Sequence, residues 1–277
     1  MKNFKVGLQL FSISGDMQAD MDKALYEVKN AGYDCVEFAG YFGKSAKEVK
    51  ALLDKYELEC PSVHQNIDLF LEQGQSAVDF IKTLGVKYCG VPHYAKDKLA
   101  GTSLWSETVK RFTDIGRLMR ENGIQLIYHN HDFEFEKYGD KYLHDYIFEE
   151  VPDDLIIPEL DVAWVTYGGE DPVKYIVKYS GKVPVLHLKD FSAKFFKGGP
   201  VYSLIDKDGN EMKSDNNADN EFKFEALGNG VVKLPEIVDV ASKCGTEYLI
   251  VERDISHDMT PLESARVSRE YLRSLGI

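Results

Sequence analysis

The sequence predicts an α/β fold, a (β/α)8 TIM barrel, and three observations carry that expectation. Strand-length apolar runs alternate with longer helical patterns eight times along the chain, as repeated βαβ units around a parallel sheet require. Most helical patterns end at a glycine leading into the next strand, namely Gly32, Gly85, Gly123, Gly181 and Gly245, and glycine there supplies a left-handed cap. The length of 277 residues suits one barrel of about 250 residues. No G-x-G-x-x-G follows the first strand, so a doubly wound dinucleotide fold loses support.

The first expected strand is KVGLQL at 5–10, followed by a helix over 20–30. CVEFA at 35–39 precedes a helix over 45–56, and PSVHQ at 61–65 precedes one over 75–84. The fourth strand, 88–93, leads to a long helix at 103–121, and the fifth, QLIYHNH at 125–131, to 141–150. IIPELDVAW at 156–164 is the sixth strand, with a helix at 172–179. VPVLHLKD at 183–190 and YLIVERD at 248–254 complete the set, with helices at 234–243 and 261–275. With no composition break, residues 1–277 are expected to form a single domain.

Only residues 191–230 break the rhythm, being long, polar and rich in Gly, Asn and Asp. A hairpin is expected there, 201–205 against 211–213, turning at Asp208-Gly209. The Asp-x-Asp-Gly start of a calcium loop is present, but Asn217 stands at its twelfth position instead of glutamate. An insertion of this length after the seventh strand is expected to form a lid or interface over the active-site face.

Charge narrows the function. Asp and Glu number 46 against 33 Lys and Arg, a net charge of −13. Nucleic acid and anionic membrane surfaces are therefore poor partners. Four scattered cysteines without a C-x-x-C pair, no run of about 18 apolar residues and a start without a signal-peptide pattern point to the cytoplasm and reduced thiols.

Five of the seven histidines, His64, His93, His129, His131 and His187, fall at carboxyl ends of expected strands. Glu134, Asp161, Asp190 and Glu252 join them. In a parallel barrel those ends meet on one face, where such folds build active sites. Imidazole with carboxylate suits Mn, Co, Zn or Fe, and no cysteine motif suggests a structural zinc. Asp161, His187 and Glu252, from neighbouring strands, supply three ligands and leave positions for substrate; alternatively, Asp161 and Glu252 pair with Lys189 or Arg253. Glu37 is expected to be a buried structural carboxylate, and His144 and His257 to lie on the surface.

The stretches VGLQLFS, GYDCVEF, IYHNHDFEF, ELDVAW, VLHLKDF and YLIVERD, in this order, resemble the sugar phosphate isomerase/epimerase family of xylose-isomerase-like barrels. The resemblance runs from Val6 to about Leu275. Relatives include tagatose epimerases, hydroxypyruvate isomerase, inosose dehydratase, dehydroshikimate dehydratase and endonuclease IV. It implies a divalent metal held by Glu, Asp, His and Glu of strands five to eight. Asp161, His187 and Glu252 match the last three, whereas His129 stands where the first glutamate belongs. The fourth ligand is then His129, His131 or Glu134. Endonuclease activity is disfavoured, because Trp164 occupies the second histidine of the D-x-x-H pattern and no D-x-H pair follows strand seven.

The resemblance further implies a metal that chelates a hydroxyl and an adjacent carbonyl and stabilises an enediolate. Glu252 is the expected base, with His131 and Glu134 as further proton-transfer groups and Lys189 as oxyanion stabiliser or neutralising charge. His64, His93, Trp164 and Asp190 are expected to contact a carbohydrate substrate, with Trp164 either an apolar platform for a sugar ring or a core-lining residue. Gly228-Asn229-Gly230 is either a plain turn or a phosphate loop, and no basic cluster accompanies it. Aromatic residues such as Tyr41, Phe42, Tyr94, Trp105, Phe133, Phe135 and Tyr138 line the cleft or pack against helices, and a homodimer is expected. Without the strand-five glutamate, elimination from a keto-sugar, cyclitol or keto-glycoside leads. Ketose 3-epimerisation or aldose–ketose isomerisation follows, and then a non-catalytic carbohydrate-binding barrel or subunit.

Overall fold

Eight parallel strands close into a barrel: β1 (Lys5–Gln9), β2 (Cys35–Phe38), β3 (Glu59–His64), β4 (Tyr88–Val91), β5 (Gln125–His129), β6 (Ile156–Asp161), β7 (Val185–Leu188) and β8 (Tyr248–Val251). The computed structural model describes residues 4–194 and 221–277. Each strand pairs with its neighbours in sequence order, and β8 returns to β1 with Leu8 opposite Val251.

Strand alternation sorts the interior into layers. Cys35, Ile127, Val185 and Ile250 form a buried apolar cluster inside the barrel. Two residues further on, where the side chain returns to the same face, stand Glu37, His129, His187 and Glu252, all buried. The barrel is thus apolar at one level and densely polar at the next, at the carboxyl ends.

The principal helices are Met21–Ala31, Ala46–Lys55, Gln75–Leu84, Trp105–Glu121, Leu143–Glu150, Pro172–Lys178, Leu234–Cys244 and Pro261–Ser274. Their expected glycine ends are left-handed: φ is 90° at Gly32, 88° at Gly85, 74° at Gly123, 82° at Gly181 and 96° at Gly245. Among the described residues no helix is long and apolar enough to cross a membrane.

Three features differ from expectation. The sixth strand stops at Asp161, because its carboxylate Oδ1 accepts from the Ala163 and Trp164 amides and caps a helix, Val162–Tyr167. His144 is fully buried, enclosed by Phe135, Phe148, Tyr175 and Tyr179. Phe135 itself, like Tyr94 against Phe112 and Tyr41 against Phe80, packs toward helices. The segment after β7 opens as an antiparallel ribbon, Asp190–Ser192 against Lys223–Glu225; the hairpin expected at 201–213 lies outside the described residues. Buried Arg253, just beyond β8, grips this ribbon by donating two hydrogen bonds to the Phe224 carbonyl.

Candidate metal centre

Four consecutive strands deliver the centre. His129 ends β5, Asp161 ends β6, His187 lies on β7 and Glu252 follows β8; in the β6–β7 register Asp161 stands opposite His187. One ligating atom from each of the four lies within 4.8 Å of every other, and all four residues are buried. Asn130 stitches β5 to β6 by accepting from the Asp161 amide at 3.0 Å. His187 Nδ1 lies 3.0 Å from Glu252 Oε2, and His129 Nε2 lies 3.8 Å from Asp161 Oδ2.

The donor set fits a divalent cation. Asp161 Oδ2 is buried and accepts no hydrogen bond, although Oδ1 of the same carboxylate has two. The Lys189 ammonium stands 3.5 Å from that oxygen, so Asp161 pairs with Lys189 in charge while its Oδ2 keeps no hydrogen-bond donor of its own. Two imidazoles and two carboxylates suit borderline first-row metals. A second group, His64, His129, Glu159 and His187, meets the same distance criterion and shares two histidines with the first.

Lys189 runs beside the set. Its ammonium contacts Asp254 at 2.9 Å, Glu252 at 3.2 Å and Asp161 at 3.5 Å, and lies 5.2 Å above the Trp164 ring. Burial opposes its charge, but Asp254 and Glu252 outweigh burial and raise its pKa. Burial likewise opposes ionisation of Glu252, yet Lys189 and His187 hold that carboxyl well below the usual range. For His187, Glu159 and Glu37 overcome burial and raise the pKa well above the ordinary value. His131 goes the other way: burial, then His129 and His93, lower it strongly.

Several expected substrate contacts take other roles. His64 directs Nε2 at Glu159, 2.7 Å away, and at Glu37, 3.1 Å away, below the donor set. Glu134 is fully buried, its two oxygens taken by the Tyr128 hydroxyl at 2.8 Å and the His131 amide at 2.9 Å. Without charge compensation, burial pushes its carboxyl up to about 8. Asp190 accepts from the backbone amides of Phe191, Gly228, Gly230 and Val232. Its carboxylate therefore anchors the turn after the ribbon and fills the place a phosphate would take on Gly228-Asn229-Gly230. Trp164 is 2% exposed, stacked on Phe222 and edge-on to Phe224, so the ribbon covers a ring expected to face a sugar. His93 remains exposed at the rim, 5.4 Å from the His131 ring.

Glu159 and Asp254 were not anticipated from sequence, and Glu37 only as a structural group. Glu159 precedes Asp161 by two, and Asp254 follows Glu252 by two. Period-two alternation was the available signal for Glu159, obscured by reading the strand straight through the helix cap.

A model of the xylose isomerase-like TIM barrel family matches residues 25–275. An inosose dehydratase of Mesomycoplasma hyopneumoniae is 25% identical, over 99% of this chain and 97% of its own length. A sugar phosphate isomerase/epimerase from Parabacteroides distasonis superposes with a TM-score of 0.76 at 22% identity, covering 99% of this chain and 97% of the other. D-allulose 3-epimerase from Methylomonas sp. gives 0.67 at 14% identity, with 99% of each chain covered.

Proposed function

The chain belongs to the xylose isomerase-like TIM barrel family, and from that premise we propose that it is a divalent-metal enzyme eliminating a group beside the carbonyl of a keto-sugar, cyclitol or keto-glycoside. The observation that carries the proposal is the buried set of His129, Asp161, His187 and Glu252, in which Asp161 Oδ2 accepts no hydrogen bond. Held by these four, a divalent cation supplies Lewis acidity that polarises a substrate carbonyl and acidifies the adjacent C–H.

The chain's own groups divide the remaining work. Lys189 keeps a fixed positive charge where negative charge develops on the carbonyl oxygen. Glu252 is engaged by His187 and Lys189, which leaves neutral His131 to accept the proton from carbon. The electron pair of the broken C–H bond forms C=C as a β-hydroxyl departs, and the His131 imidazolium returns its proton to that oxygen, releasing water. Glu134 supports this step indirectly, by holding the His131 backbone.

Elimination is favoured over two-base 3-epimerisation by residues 129 and 134. Histidine replaces the carboxylate expected on β5, and Glu134 has both oxygens occupied. The relatives named inosose dehydratase support the same choice.

Elemental analysis of native protein beside Asp161→Ala and His187→Ala tests the centre, with near-stoichiometric transition metal expected in native protein and lost in both variants. Folded native protein that takes up none of Mn, Co or Zn would hand the lead to a non-catalytic carbohydrate-binding barrel. Solvent deuterium incorporation into candidate keto-sugars, followed by product analysis, then separates elimination from epimerisation.

A further inference from the structure

Beneath the donor set lies a second polar tier, and we infer that its carboxylates, Glu37 and Glu159, are positioning residues that decide which nitrogen of His187 and His129 is offered to the cation. The inference rests on the metal-centre reading above and deepens it.

Glu37 Oε1 is a crowded acceptor. Gln9 Nε2 lies 2.6 Å away, His187 Nε2 2.8 Å and His64 Nε2 3.1 Å, while the Ser62 hydroxyl donates to Oε2. A carboxylate accepts only, so His187 Nε2 carries a hydrogen toward Glu37. Nδ1 also faces a carboxylate, Glu252 Oε2 at 3.0 Å, but both of these atoms belong to the donor set, so a cation seated there would take the place of the hydrogen on Nδ1 and leave the Glu37 bond intact. Glu159 faces His129 more loosely: its Oε2 lies 3.7 Å from Nδ1, which makes no hydrogen bond, and Nε2 lies 3.8 Å from Asp161 Oδ2, so the carboxylate biases this ring by charge alone. His64 ties the carboxylates together, its Nε2 directed at both. Its ring lies parallel to that of His187, with centroids 5.0 Å apart.

The same bonds argue against the His64–His129–Glu159–His187 group as the cation's seat. An ion there that used His187 Nε2 would have to take it from Glu37, a carboxylate outside that group, whereas in the upper set the contact displaced, His187 with Glu252, is between two of its own members. β4 also makes room for the lower tier: a Cβ at Gly90 would stand 2.6 Å from His64 Cδ2 and 3.0 Å from Glu159 Oε2. An outer carboxylate of this kind, donating nothing to the metal itself, typically alters metal affinity by 10–100-fold.

The experiment titrates Mn²⁺ into metal-free native protein, Glu37→Gln, Gly90→Ala and His64→Gln, following free Mn²⁺ by electron paramagnetic resonance. The d–d spectrum of Co²⁺ reports the ligand field, and thermal melts of the metal-free proteins report folding. Glu37→Gln and Gly90→Ala are expected to bind Mn²⁺ about 10–100-fold more weakly with an altered Co²⁺ spectrum, and His64→Gln to retain one ion weakly. A folded Glu37→Gln with native affinity and spectrum overturns the inference; if that variant does not fold, Gly90→Ala decides by the same criterion. Complete loss of the ion in folded His64→Gln would seat it in the lower group and also overturn it. Native protein that takes up no ion sinks the metal reading together with the inference, whereas native uptake with unaltered variants sinks the inference alone.

Discussion

Lys189 stands among three carboxylates at 2% exposure, so its removal strands buried negative charge. Lys189→Met is expected to destabilise the metal-free protein by about 3–5 kcal/mol, measured by urea denaturation, with part recovered in Lys189→Met/Asp254→Asn. A single variant as stable as native protein would show that the ammonium compensates nothing. Glu134 gives the opposite case, a buried acid without a cation. Its folded pKa of about 8 lies above the ordinary 4.5, so between those values the folded state keeps a proton that the unfolded chain has released. Stability from this group is greatest at low pH, falls as pH rises through the window and levels off above about 8. Glu134→Gln should therefore gain at least about 1.4 kcal/mol over native protein at pH 8, the equivalent of one pKa unit, and show little gain at pH 4.5. Equal gains at both pH values would mean that Glu134 stays ionised. At this scale the sequence was a partial guide. Residue types at strand ends put His129, Asp161, His187 and Glu252 on one face, and the structure brings the four together, but whether His64 meets a sugar or a carboxylate depended on Glu37 and Glu159, which lie 27 and 95 positions away.

Strands and helices were legible because their signals are local. Alternation with period two, helical spacing and a terminal glycine act within a few residues, and the 75–84 helix runs as expected from Gln75 to Leu84. What failed was a boundary where a side chain changes the backbone's partner. Asp161 looks like one more strand residue until its carboxylate turns onto the amides of 163 and 164. Asp190 plays a comparable part after β7, accepting four backbone N–H groups. Asp190→Ala would leave those donors without their partner, and a loss of about 3 kcal/mol is expected from charge-assisted bonds of this kind. Limited proteolysis should cut the variant near 221–232 before the barrel unfolds. A native cleavage pattern and native stability would remove Asp190 from this anchoring role.

For the whole molecule, ligand linkage supplies the test. A cation bound only by the folded barrel adds about 2.7 kcal/mol at a free concentration of 100 Kd, and the melting temperature should rise by several degrees. Asp161→Ala should show no rise, and an equal rise in that variant would place the stabilising ion elsewhere. The sequence alone determined the barrel, the face on which chemistry gathers, and the residue types suited to a metal. Those follow from periodicity and composition, which are short-range properties of the chain. Only the tertiary structure decided how the polar residues divide into an upper donor set and a lower supporting tier. Barrel closure sets that division: it brings β2 and β3 across from β6 and β7, so that Glu37, His64, Glu159 and His187 become partners in one buried layer. In a buried layer each polar atom must find a partner, and that pairing depends on distances between strands far apart in sequence.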